Sequence, residues 1–139
     1  MATVRARRFE YGVTMDRAWT VASDRGGRPL ERDEAWTPEH LVLAGVCRCI
    51  LTALAFHAKR AGLEVASSAK ADGVVTRRDS DGRFAFVEIA VDAEAALTPP
   101  PDPDALRELI ELAQRDCFVS ASLTVTPTYR WTVNGERVQ

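Results

Sequence analysis

At 139 residues the chain is of single-domain size and long enough to bury a substantial core. Hydrophobic residues at 46% and charged residues at 27% are ordinary for a soluble globular protein. A net charge of −2 gives no general electrostatic pull toward nucleic acid or an anionic membrane surface, so neither is expected as a partner.

The N-terminal MATVRARRFEYG carries basic residues without an apolar stretch behind them, so it does not read as a signal peptide. Three cysteines in such a chain fit a reducing cytoplasm better than a structural disulfide framework. Cysteine chemistry here would be redox or catalytic. The segment TVRARR alternates small and charged residues and reads as a strand with one charged face. Short strands are expected around Tyr11–Met15 and Ala18–Ala22, with Asp16-Arg17 turning between them. SDRGGRPLERDEAW, rich in Gly, Pro and charge, is a loop. It is either a solvated connector or an active-site loop that delivers Arg25, Arg28 and Arg32.

The stretch from Thr37 to Gly62, TPEHLVLAGVCRCILTALAFHAKRAG, reads as one long helix. Thr37 is its expected N-cap, Pro38 suits the first helical position, and Glu39 faces the positive end of the helix dipole. Lys59, Arg60 and Gly62 mark its end. Between Leu41 and Phe56 it is apolar or small on nearly all faces, which implies that protein or lipid wraps it. The apolar run is roughly 16 residues, short of the ~20 that span a bilayer, and Arg48 interrupts it. A central helix covered by sheet and by a second subunit is the better expectation.

Beyond Gly62, LEVASSAKADGVVTRR has strand character at both ends. Asp79-Ser80-Asp81-Gly82 supplies a tight turn, and FAFVEIAVDAEA alternates, so Thr76 and Phe84 are expected to flank a hairpin. Thr98 to Pro103 is a stiff linker. Asp102 can cap and Pro103 can open a second helix with Ala105, Leu106, Leu109, Ile110 and Ala113 on one face. Cys117 falls at its end. SASLTVTPTYRWTV is expected as a final β-rich segment interrupted at Pro127. Strands, long helix, strands, shorter helix and strand together predict a single α+β domain over 1–139 with antiparallel sheet.

Cys47 and Cys49 lie about 200° apart around the helix, so they cannot pair with each other or share one metal ion. Neither His40 nor His57 has a metal-ligand spacing to them, and no metal or cofactor is expected. A free cysteine often acts as a small buried hydrophobe, which suits Cys47. A reactive thiolate needs nearby positive charge and some access. Arg48 and the loop arginines are candidates for that charge, although Arg48 reads first as a snorkelling or interface residue.

From Pro38 through Glu39, Leu41 and Ala44 to Cys49 the chain resembles the P-E-x-L-h-x-A-x-x-x-x-C signature of the OsmC/Ohr family. CFVSASL, Cys117 to Leu123, resembles that family's second motif, C-P-[VI]-S-x-[ST]-L. The resemblance runs from about Trp36 to the C-terminus. It implies an OsmC-like α+β fold built as an intertwined homodimer, with antiparallel sheets around the long cysteine helix and active sites at the subunit interface. It further implies a thiol-dependent peroxidase that reduces organic hydroperoxides, and hydrogen peroxide in some members, in defence against oxidative stress. By the same resemblance Cys49 is the peroxidatic cysteine and Cys117 the resolving one. Glu39 would orient an arginine that holds the thiolate, and a cellular dithiol, which in relatives can be a lipoylated protein, would restore the thiols. Spacing does not assign that arginine; Arg28 and Arg32 are the leading candidates, then Arg25. Glu39 and Cys49 stand about 15 Å apart along the helix, so an arginine must bridge them or a dimer must bring them together. Glu39 is also explained by the helix dipole alone. The chain departs from the pattern at Phe118, where the family has proline, and by having Gln114 and Arg115 where a histidine is frequent. Two other classes compete: a binding protein that holds a small lipophilic ligand in an apolar cleft, and a structural protein with three inert cysteines.

Overall fold

The computed structural model describes residues 6–138. The chain divides into two compact units, Met1–Thr37 and Pro38–Gln139.

The first unit is built on a small hairpin. Strands β1 (Val13–Met15) and β2 (Val21–Ser23) pair antiparallel, with Val13 opposite Ser23 and Met15 opposite Val21. Asp16 organises the turn: its carboxylate accepts the backbone N–H groups of Ala18 (2.9 Å) and Thr20 (3.0 Å). Trp19 takes a left-handed conformation there, at φ 64°. The following loop folds back so that Leu30 exchanges two 2.9 Å backbone bonds with Val21. The predicted TVRARR strand lies partly outside the described residues, and Ala6 to Arg8 belong to no strand.

The second unit opens with helix α1 (Pro38–Arg60). Val46, Ile50, Ala53, Leu54 and Ala58 form its buried stripe, spaced at the three- and four-residue intervals that line one helix face. Leu41 and Phe56 stay exposed, at 44% and 56%. Apolarity on nearly all sides thus resolves into one stripe packed on the core and an exposed side where Leu41, Ala44, Ala55 and Phe56 stand among Arg48 and Thr52. By length and composition α1 could cross a membrane, but its buried stripe, set into the core, is that of a core helix. Gly62 (φ +77°) terminates the helix, with the Leu63 N–H returning to the Ala58 carbonyl at 2.9 Å.

Strands β3 (Glu64–Arg77) and β4 (Phe84–Thr98) form a long antiparallel hairpin with a bulge at Val74/Val75. Thr76 opposes Ala85 and Arg77 opposes Phe84, so the hairpin closes where the turn residues indicate. Asp81 fastens the turn by accepting from the Arg83 N–H (3.1 Å) and from the Arg78 guanidinium (3.1 and 2.6 Å). Along β4 every second residue is buried: Ile89, Val91, Ala93, Ala95 and Leu97.

Helix α2 (Pro103–Arg115) begins as expected, with Asp102 accepting the Ala105 N–H at 2.8 Å. Its buried face is Leu109, Ile110 and Ala113, with Leu106 half-buried; Ala105, placed on that face from sequence, is exposed in the first turn. A four-residue helix α3 (Phe118–Ala121) follows, then β5 (Thr128–Val133) and β6 (Glu136–Arg137). SASLT is therefore a helical turn and irregular chain; strand begins only after Pro127. The four-stranded sheet has the order β3-β4-β5-β6. It is antiparallel except between β4 and β5, which run parallel. Helices α2 and α3 carry the chain back across the sheet, and a return of that kind makes the next strand parallel. The architecture is α+β, with α1 packed on β3, α2 and α3.

Candidate active site

Cys49 lies on α1, one position before the buried Ile50 and on the flank of the buried stripe. It is half-buried, whereas Cys117 is fully buried, at 0% exposure, between α2 and α3. The two are 68 residues apart in sequence (117 minus 49) and meet through the packing of α1 on α3. The Val119 backbone N–H donates to Cys49 Sγ at 3.4 Å. Burial pushes the Cys49 thiol up, the Val119 N–H pulls it down, and the neighbouring Cys117 thiol adds a further upward push. The Phe118 N–H also pulls it down.

The remaining predicted residues occupy other positions. Glu39 is exposed in the first turn of α1. Arg28 and Arg32 belong to the first compact unit. Arg32 there pairs with Glu34 (2.8 Å) and lies over the Trp19 ring at 3.9 Å, and Arg25 lies over Tyr11 at 5.0 Å. Arg48 is exposed on α1. Cys47 is half-buried, and burial raises its thiol.

Three residues around the pair were given no role in the site from sequence. His57, near the end of α1, meets Asp116 beside Cys117: Nε2 and Oδ2 are 2.7 Å apart. Ser120 donates to the Cys117 carbonyl at 3.1 Å. Tyr129 on β5 has a hydroxyl that is buried and makes no well-formed hydrogen bond with the described groups. No periodicity marks these, because each acts across a sequence gap or a helix boundary. Gln114 accepts from the buried Trp131 indole N–H at 2.9 Å.

Among the described residues no three His, Cys, Asp or Glu side chains converge to hold a metal ion. Two open hollows, of about 420 and 340 Å³, lie on the strands away from the cysteines. The larger is lined by Lys70, Asp92, Glu94, Arg130 and Arg137, a charged surface unsuited to a lipophilic ligand.

The sequence profile of the OsmC-like protein family matches residues 31–132. No functionally curated protein matches the chain. Among solved structures, an OsmC-like protein of unknown function from Vibrio cholerae superposes with a TM-score of 0.73 at 17% identity, over 90% of this chain and 100% of that one. The organic hydroperoxide resistance protein OhrB of Bacillus subtilis gives 0.59 at 25% identity, over 89% and 98%. An organic hydroperoxide resistance protein from Elizabethkingia anophelis gives 0.63 at 22% identity, over 93% and 98%. With the matched profile spanning most of its length and the fold shared across these structures, the chain belongs to the OsmC-like protein family.

Proposed function

We propose that the protein is a thiol peroxidase for organic hydroperoxides, with Cys49 as the attacking sulfur and Cys117 as the resolving one. The observation that carries this is the meeting of two thiols from distant parts of the chain, with a backbone N–H aimed at the sulfur of Cys49. The likeness to the organic hydroperoxide resistance protein OhrB of Bacillus subtilis supports the substrate class.

The chemistry is simple in outline. The Cys49 thiolate attacks the outer peroxide oxygen, the O–O bond breaks, and an alcohol leaves once its oxygen gains a proton. Cys49 is left as a sulfenic acid. Cys117 then attacks that sulfur, water leaves, and a disulfide forms before further oxidation can occur. A cellular dithiol restores both thiols by exchange. Burial opposes thiolate formation at Cys49, so the active protein needs a cation there. Arg28 and Arg32 are the proposed source, with Glu39 orienting the guanidinium. The uncovered apolar side of α1, with Leu41 and Phe56, fits a homodimer interface in a cytoplasmic protein.

The test is intact mass before and after one equivalent of cumene hydroperoxide, with the bridged residues mapped. A Cys49–Cys117 disulfide supports the scheme. Unreacted thiols, or a bridge through Cys47, would overturn it.

A further inference from the structure

The buried hydroxyl of Tyr129 is unaccounted for by packing. Its strand fixes where it points: Tyr129, Trp131 and Val133 alternate with Thr128, Arg130 and Thr132 on β5, and the first three face the helices. In the parallel register Tyr129 lies beside Val91 and Trp131 beside Ala93, both buried positions of β4. The phenol therefore stands on the floor of the layer that α1 and α3 cover. Its oxygen is out of contact with solvent and lacks a well-formed hydrogen bond. Leaving a buried hydroxyl unpaired opposes folding, so a phenylalanine would serve better if only packing mattered.

The groups acting on that hydroxyl are those of the cysteine site. Burial raises its pKa most, the Ser120 hydroxyl pulls it down, and the Cys117 and Cys49 thiols both raise it. Ser120 is itself engaged as a donor to the Cys117 carbonyl. Tyr129 is thus a neutral phenol, buried without a well-formed hydrogen bond, whose surroundings include Ser120 and the two thiols.

We propose that the Tyr129 hydroxyl relays a proton from the Cys117 thiol to the Cys49 sulfenic acid in the resolving step, which rests on the assignment of Cys49 and Cys117 as the working pair. As the Cys117 sulfur forms its bond to the Cys49 sulfur, the Cys49 S–O bond breaks. The departing oxygen takes the phenol proton and leaves as water. The thiol proton of Cys117 replaces the one given up, so Tyr129 ends unchanged. In formal oxidation state the Cys117 sulfur rises by one and the Cys49 sulfur falls by one. No other reactant is needed.

The experiment uses the full chain and its Tyr129→Phe variant, oxidised with one equivalent of cumene hydroperoxide and quenched for intact mass over time. Appearance of the sulfenic acid, trapped with dimedone, reports the first step; appearance of the disulfide reports the second. The variant is expected to form sulfenic acid at the wild-type rate and to form disulfide about 100-fold more slowly, the lower end of the range for a lost proton donor. The wild-type resolving step should also show a solvent deuterium isotope effect that the variant loses, which a structural role would not produce. Equal disulfide rates in the two proteins would overturn the relay while leaving the peroxidase assignment intact. So would a wild-type resolving step without an isotope effect, a measurement that needs no variant. A wild-type protein that forms no Cys49–Cys117 disulfide would instead remove the peroxidase assignment, and the relay with it.

Discussion

His57 Nε2 and Asp116 Oδ2 approach to 2.7 Å, tying the C-terminal turns of α1 to the residue immediately before Cys117. Arg115 grips the same carboxylate through two bonds, at 2.9 and 3.0 Å. The Arg115 bond and then the His57 bond hold the Asp116 carboxyl down at about 2, against partial burial. A depressed carboxylate stabilises the fold above its unfolded value, near 4, and loses that contribution as pH falls toward 2. Asp116→Asn should cost about 1 kcal/mol at neutral pH, at the modest end because the side chain is 36% exposed. It should also flatten the loss of stability between pH 4 and pH 2. Urea midpoints at pH 6, 4 and 2 for both proteins check this.

Gly73 is a position where adding a methyl group should harm rather than help. A Cβ there would stand 2.7 Å from the Phe86 ring and 3.2 Å from a Leu43 methyl. Alanine in a strand ordinarily stabilises relative to glycine. Here the half-buried Phe86 must move, and overpacking of this kind costs about 1–3 kcal/mol. Gly73→Ala should lower the thermal midpoint; an unchanged or raised midpoint would show that Phe86 swings aside freely.

Cys49 offers a direct reading of its electrostatics. Burial alone leaves its alkylation by iodoacetamide slow at pH 7 and rising through the alkaline range. If Arg28 or Arg32 supplies charge in the assembled protein, the wild-type rate should level off nearer neutrality. Replacing the responsible arginine by alanine should then restore the alkaline profile and slow peroxide reduction at pH 7 about 10-fold per pKa unit. Identical profiles in wild type, Arg28→Ala and Arg32→Ala would remove both arginines from the site.

Phe56 lies on the uncovered side of α1, in edge contact with His57 and beneath Arg60. A glutamate there should leave one chain folded and disrupt a homodimer, seen as a halved mass in light scattering. An unchanged mass would place any subunit contact elsewhere.

Oxidation should also register as stability. A Cys49–Cys117 bridge closes 68 residues (117 minus 49), and a loop of that length is worth about 4 kcal/mol by chain entropy. The oxidised protein should melt higher than the reduced one, and Cys117→Ala should abolish the difference.

Much of the scaffold can be read from the chain because local chemistry announces it. Asp102-Pro103 start a helix, Asp79 to Gly82 turn a hairpin, and β4 alternates along most of its length. Cys49 and Cys117 were legible only as family motifs; nothing local says that they meet. What the sequence hides is direction and distance. A strand does not carry in its own residues whether its neighbour runs parallel, so the β4–β5 pairing went unforeseen. The His57–Asp116 bond joins residues 59 apart, and the burial of the Tyr129 hydroxyl follows from the register of β5 beside β4. The apolar circumference of α1 likewise conceals which side the sheet takes, since every side qualifies.

The parallel joining of β4 and β5 has a consequence for how the molecule comes into being. Hairpins such as β3–β4 close locally and early, whereas a parallel pair must wait for its whole intervening segment to fold over. That segment contains Cys117, and β5 contains Tyr129. Both residues thus depend on a non-local joining, the kind that forms slowly. A chain whose β5 has not yet joined β4 therefore lacks the strand that carries Tyr129.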